Sequence, residues 1–180
     1  MRAKTEMDFK TSIVKSKIGD FRLLAEIGRI SFAESHGSSA SSEDIESYVN
    51  EKYNDRILRE ELSDPLNIFH IIYHDNKPSG YSKIILNEPN QDIKQKNITK
   101  LERLYLLKEY YGLKLGLELF NFNVEISINN NQEGMWLFVW KENLRAVDFY
   151  FKAGFKIVGS HDFKLTETHS NPNHLMFLKY

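Results

Sequence analysis

With 180 residues, 41% of them hydrophobic, the chain can bury a substantial core, and its net charge of −1 lacks the basic excess of a nucleic-acid surface. It has no cysteine, which removes disulfides, thiolate metal sites and a cysteine nucleophile. No apolar run approaches the roughly 18 residues of a membrane span, and the opening "MRAKTEMDFK" has no secretory core, so a soluble cytoplasmic protein without membrane or nucleic-acid partners is expected.

In chain order, "TSIVKSK" reads as a short first strand. "DFRLLAEIGRISFAE" has helical spacing at Leu23, Ile27 and Ile30, and "SHGSSASS" reads as a flexible break that makes His36 a loop residue. "SSEDIESYVNEKYNDRILREELSD" reads as one second helix, opened by serines with acids in its first turn. "NIFHIIYHDNKPSGYSKIIL" is a strand, a turn and a strand; "EPNQDIKQKN" is a polar loop; "ITKLERLYLL" is the next strand. "GMWLFVWKE" is almost wholly apolar, as a strand buried on both faces should be. "NLRAVDFYFKAGF" is a short helix, with Asn143 placed to cap it and Gly154 to end it. "FKIVGSHDFKLTE" and "HLMFLKY" close the chain as strands, and all four prolines sit in polar segments that mark connections. There is no internal repeat or linker, so residues 1–180 are expected to form one α/β domain.

The stretch "LYLLKEYYGLKLGLELF" places Gly112 and Gly116 where a strand turns into an apolar segment. The following "FNFNVEISI" alternates like a strand, yet also forms two helical stripes, Leu115, Leu119, Phe122, Ile126 and Leu117, Phe120, Val124, Ile128. Length favours the helix. A strand, glycine turn and helix offer backbone N–H groups and a dipole to a phosphate, although two glycines can also be an ordinary turn and packing contact. The segment is neither a Walker A loop nor a dinucleotide fingerprint.

"LERLYLLKEYYGLKLG" followed by "MWLFVWKENLRAVDFYFKAGFKIVGSHDFKL" resembles the GNAT superfamily of acyl-CoA N-acyltransferases, and the segment "GSHDFKL" is similar to its PaiA-like polyamine acetyltransferase branch. The block W-x-x-N-x-x-A-x-x-F-Y-x-x-x-G-F is matched from Trp140 to Phe155. The pyrophosphate loop Q/R-x-x-G-x-G/A falls on Tyr111, Lys114 and Gly116; Gly112 is extra, and Lys114 puts a cation where glycine is usual. The resemblance implies a mixed sheet of about six to seven strands flanked by about four helices. It also implies acetyl-CoA as co-substrate, with no metal. The cofactor would lie between the strands of "ERLYLL" and "MWLFVW", against backbone groups of Leu104, Tyr105 and Leu106. Its diphosphate would sit on the turn of Tyr111, Gly112, Leu113, Lys114, Leu115 and Gly116, with Asn143 and Lys152 as further contacts.

Acetyl transfer to an amine needs a neutral nucleophile and a proton for the departing thiol. An alkyl ammonium has a pKa of about 10.4, so roughly one part in a thousand is nucleophilic at neutral pH. Tyr150 is the candidate general acid, its alternative being a core aromatic beside Phe149 and Phe151. Asn143 and Tyr150 are seven apart and share a helix face within about 20°. Glu102 is the candidate base, because strand alternation puts it on the face of Leu104 and Leu106; its alternative is a solvated carboxylate paired with lysine. The acceptor would sit over the two early helices, where Phe32, Glu34 and Tyr48 adjoin Glu43, Asp44 and Glu46, acids and aromatics that suit a polycation or simply cap a helix. The expected activity is N-acetylation of a primary amine, preferably a polyamine such as spermidine, with a homodimer compatible with the sequence. The alternatives are acetylation of a protein N-terminus or an amino acid, and a non-catalytic acyl-CoA-binding regulatory module.

Overall fold

The computed structural model describes residues 10–167 and 169–180, so most of the charged opening lies outside the described residues. Seven strands form one mixed sheet in the order β1-β2-β3-β4-β5-β7-β6. They are β1 (Thr11–Lys15), β2 (Asn67–His74), β3 (Lys77–Ile85), β4 (Thr99–Leu106), β5 (Gly134–Trp140), β6 (Lys156–Lys164) and β7 (Ser170–Lys179). Among the described residues five α-helices flank the sheet: α1 (Phe21–His36), α2 (Ser42–Lys52), α3 (Asp55–Ser63), α4 (Leu115–Asn129) and α5 (Leu144–Lys152). The β2–β3 hairpin turns at Asp75 and Asn76, both at positive φ (49° and 60°), which matches the twist of the flanking strands. Pro78 and Pro172 fall not in connections but near the starts of β3 and β7. No helix among the described residues is long and apolar enough to cross a membrane.

The α/β architecture and the doubly buried β5 stand as expected, and 120–128 is helical. The second helix is two. Asn54 divides it, because its Nδ2 donates to the last carbonyls of α2 (Glu51 O, 2.8 Å) while its Oδ1 accepts from Ile57 N–H (3.0 Å) at the start of α3. The apolar stripe of α1 is also displaced. Leu24, Ile27 and Phe32 are buried, whereas Ile30 is 44% exposed. Gly28 lets the helix approach Tyr53, since a Cβ there would collide with the ring.

The sheet alternates cleanly. Phe69, Ile71 and Tyr81 face α1–α3, while Ile72 meets Leu115 and Leu119 of α4. Met135, Leu137 and Val139 of β5 pack with Phe120 and the partly buried Phe149 and Tyr150 on the α4–α5 side. Full burial of one such side chain contributes roughly 1.5–3 kcal/mol. Asn123 and Ser127 of α4 are also buried but paired, Ser82 Oγ donating to Asn123 Oδ1 (3.3 Å) and Ser127 Oγ lying 2.6 Å from Thr99 Oγ1.

Two irregularities shape the middle of the sheet. In β4, Arg103 pairs with Lys83 and Leu101 with Ile84, so Glu102 is the extra residue of a bulge. The parallel β4–β5 pairing holds only at Thr99–Met135 and Lys100–Trp136, and beyond it the strands separate.

Candidate active site

The separation of β4 from β5 opens a cavity of about 310 Å³ between the two layers of helices. One end is lined by Phe32 and His36 of α1, Tyr48 of α2, Tyr53, Tyr105 and Phe163; the other by Tyr111, Asn143, Arg145 and Tyr150. The first is the acceptor end expected from the sequence, and the second, beside the turn before α4, is the turn end.

At the turn end, Gly112 has φ +83°, with nothing within 4 Å of a Cβ placed there, and Lys114 takes a left-handed φ of 62° as the N-cap of α4. The reversal leaves the first N–H groups of α4 without intrahelical acceptors. Leu113 is exposed, whereas Leu115 is buried against Ile72 and offers only its backbone here. Gly116 is under no such strain; a Cβ would meet Leu106 at 3.4 Å, an ordinary contact. Arg145, absent from the sequence expectations, stands over the Tyr111 ring at 3.5 Å and brings a cation to this end. Lys152 does not join it: it is exposed on α5 and paired with Asp148 (2.6 Å). Asn143 lines the cavity and also caps α5, its Oδ1 accepting from Ala146 N–H (3.2 Å).

Along the gap, Leu107 N–H donates to Ser79 O of β3 (2.9 Å). Antiparallel alternation therefore directs the backbone groups of Tyr105 to β3 and those of Leu104 and Leu106 to the gap. The Tyr105 carbonyl indeed faces Gly80 of β3. Its ring lies near Phe32 and His36 (6.4 and 6.0 Å), so Tyr105 belongs to the acceptor end and not among backbone cofactor contacts. Tyr150 lines the opposite wall; burial pushes its phenol pKa well above the ordinary value, so the proton is retained at neutral pH.

Glu102 departs most from expectation. The bulge turns it from the face of Leu104 and Leu106 to the side of Lys83 and Arg103, where it still lines the cavity. Lys83 Nζ, nearly buried, lies 2.9 Å from Glu102 and 3.2 Å from Glu61 of α3. Arg103 holds Glu61 with two bonds of 2.7 and 2.9 Å, and Lys100 lies 3.4 Å from Glu102. Burial alone would raise the Glu102 pKa, but the charges of Lys83, Arg103 and Lys100 outweigh it and hold the carboxyl below its usual range. A carboxylate so committed is a poor proton acceptor.

The acceptor end is aromatic. Phe32 stacks on His36 (4.5 Å) and Tyr48 (4.6 Å), and Phe163 of β6 meets Tyr48 edge-on at 5.8 Å. The β6–β7 hairpin is tied to the α1–α2 connection through His169, whose Nε2 lies 2.8 Å from Ser39 O and 3.0 Å from Asn171 Oδ1. The acidic junction does not contribute to the lining. Glu34 is exposed and accepts from Lys108 N–H (2.8 Å), Asp44 accepts from Ser41 Oγ (2.8 Å) at the α2 cap, and Glu46 lies with Arg29 along a separate groove. His36, expected in a loop, is the last residue of α1, and burial lowers its pKa to about 4. No group of three or more metal-ligating side chains occurs among the described residues.

The fold has close counterparts. The PaiA N-acetyltransferase of Thermoplasma acidophilum, solved in complex with coenzyme A, superposes with a TM-score of 0.76 at 27% identity, covering 95% of this chain and 99% of that one. The spermidine N(1)-acetyltransferase of Thermoplasma acidophilum is 30% identical over 151 residues, 81% of this chain and 88% of its own. An uncharacterized N-acetyltransferase of Lactobacillus delbrueckii subsp. lactis is 29% identical over 153 residues, 85% of this chain and 88% of its own. The model of the Acetyltransferase (GNAT) family matches residues 31–155, which include both the turn before α4 and the whole of α5. The chain therefore belongs to the GNAT family of N-acetyltransferases.

Proposed function

We propose that the protein transfers the acetyl group of acetyl-CoA to a primary amine, with a polyamine such as spermidine as the preferred acceptor. The observation that carries the proposal is a single cavity that runs from an aromatic acceptor end, through the gap between β4 and β5, to Tyr111 at the start of the glycine turn. The residues fit the co-substrate. Leu104 and Leu106 direct backbone groups into the gap, where the pantetheine amides would find partners. Gly112, Lys114, the α4 N-terminus and Arg145 combine a bare backbone with positive charge, as a diphosphate requires.

When bound, the thioester supplies an electrophilic carbonyl carbon and a thiol leaving group. Aromatic walls strip water from the acceptor and so favour its neutral, nucleophilic form. Tyr150 keeps a proton at Oη and would deliver it to the departing sulfur, and the proton shed by the attacking nitrogen would restore the phenol through solvent. Glu102 takes no proton in this scheme and instead holds the β4 bulge through Lys83. Support for a polyamine comes from the 30% identical spermidine acetyltransferase and from rings that can hold both methylenes and an ammonium.

A second acceptor class has its own support. The charged cluster beside the acceptor end contains Lys83, Lys100 and Arg103 against Glu61 and Glu102, a surplus of cations that suits a carboxylate-bearing acceptor such as an amino acid. The test is free-thiol release from acetyl-CoA across a panel of spermidine, putrescine, amino acids and a short peptide. Selective release with polyamines supports the preferred acceptor. Selective release with amino acids supports the second, and no release above the enzyme-free rate rejects transfer altogether.

A further inference from the structure

His36 is the one imidazole on the cavity wall, and its hydrogen bonds fix its tautomer. Ser35 Oγ lies 2.8 Å from Ser31 O and 2.8 Å from His36 Nδ1. A hydroxyl has a single proton, and Ser35 gives it to the carbonyl of the preceding helical turn. Ser35 Oγ must then accept from His36, so Nδ1 carries the ring proton and Nε2 carries the lone pair. The ring is clamped on Phe32 at 4.5 Å with a 10° interplanar angle, so its orientation is fixed as well.

Nε2 therefore projects from the edge opposite Ser35, in the ring flanked by Tyr105 and Trp140 at centroid distances of 6.0 and 6.1 Å. The residue lines the cavity, and the one side-chain hydrogen bond of the ring is made by Nδ1, not Nε2, among the described residues. A lone pair held rigidly at the open edge of an aromatic wall leaves a hydrogen bond to be made. Glu102 and Glu61 are bound to lysine and arginine; the unpaired acceptor that shares the cavity wall with His36 is Asn173 Oδ1, buried on β7.

We propose that His36 Nε2 accepts an N–H hydrogen bond from the acceptor amine and thereby aims the nitrogen lone pair across the gap toward Tyr150. The inference rests on the acetyltransferase proposal above and adds the group that holds the nucleophile. It specifies the acceptor as one with an N–H to give. An imidazole that stays neutral at working pH can do this without repelling an amine that arrives as a cation.

The test compares wild type with His36→Phe and His36→Gln, using spermidine and butylamine as probes. Phenylalanine keeps the stack on Phe32 and removes the lone pair; glutamine restores an acceptor oxygen near the position of Nε2. The expected result is a loss of kcat/KM for both amines of roughly 10- to 100-fold in His36→Phe, with partial recovery in His36→Gln. Acetyl-CoA affinity by calorimetry stays at the wild-type value in both, which shows that the fold and the turn end are intact. Wild-type kcat/KM in His36→Phe would overturn the role of His36 and leave the acetyltransferase proposal standing. Absence of thiol release from wild type with every amine would overturn that proposal, and this inference with it.

Discussion

The two ends of the cavity are built by different means. The turn end is mostly backbone: a left-handed glycine, a left-handed Lys114, the first N–H groups of α4 and the strand edge at Leu104 and Leu106. The acceptor end is side chains from distant parts of the chain, Phe32 and His36 from α1, Tyr48 from α2, Tyr105 from β4 and Phe163 from β6. Backbone presents the same groups whatever the side chains, so in the proposed function it would serve an invariant co-substrate. An aromatic wall changes with every substitution and can define the acceptor. Mutations should therefore separate the ends cleanly.

The largest effect is expected on the step that joins them. Tyr150→Phe keeps the packing against Phe155 and removes the proton, so kcat should fall by roughly 10²- to 10⁴-fold while acetyl-CoA affinity, measured by calorimetry, stays unchanged. A matching loss of affinity would make the tyrosine a structural part of the turn end.

Next comes the scaffold of the acceptor end. Arg103→Leu strips Glu61 of two short bonds in a largely buried setting and should cost about 3 kcal/mol in denaturant unfolding. Wild-type stability in that variant would mean that the cluster does not hold the bulge.

Acid should loosen both faces of the sheet by a comparable amount, through His36 on the α1 side and His70 against Phe122 of α4. Burial depresses the pKa of His36 and of His70 to about 4, against about 6.5 in the unfolded chain. Between those values the unfolded chain binds more protons. The stabilisation is thus complete above about pH 6.5 and is lost as pH falls toward 4, by up to about 3 kcal/mol per ring. Unfolding midpoints that stay flat from pH 7 to pH 4 would contradict the burial of both rings.

How much of this the sequence disclosed follows the same division. The W-x-x-N block, the cap at Asn143, the stop at Gly154 and the apolar β5 are local signals, and each stands where it was expected. The acceptor end depends on events that periodicity cannot register. A one-residue bulge reversed the face of Glu102, so strand alternation placed it beside the wrong neighbours. A serine-rich run concealed that α1 continues through His36. Asn54 split a helix whose apolar spacing looked continuous, although an asparagine followed by aspartate was a cap signal open to notice.

Smaller effects test the remaining assignments. Arg145→Ala should weaken acetyl-CoA roughly three- to fivefold, less so at high salt, because an exposed charge pair is worth at most about 1 kcal/mol. Smallest of all, the pair Glu43→Gln and Asp44→Asn should leave the KM for spermidine within about twofold across a salt series, because exposed pairs contribute little and neither residue lines the cavity. A steep rise in that constant would restore the acidic junction as a polycation site.

The division between the ends rests on the turn before α4 as the seat of the diphosphate. Calorimetric titration of acetyl-CoA into Gly112→Asn and Gly112→Asp tests it directly, since both residues tolerate positive φ about equally and differ mainly in charge. The account predicts affinity near wild type in the asparagine variant and at least about tenfold weaker in the aspartate variant, the added carboxylate facing the diphosphate. Equal affinity in the two variants would place the diphosphate elsewhere and contradict the account.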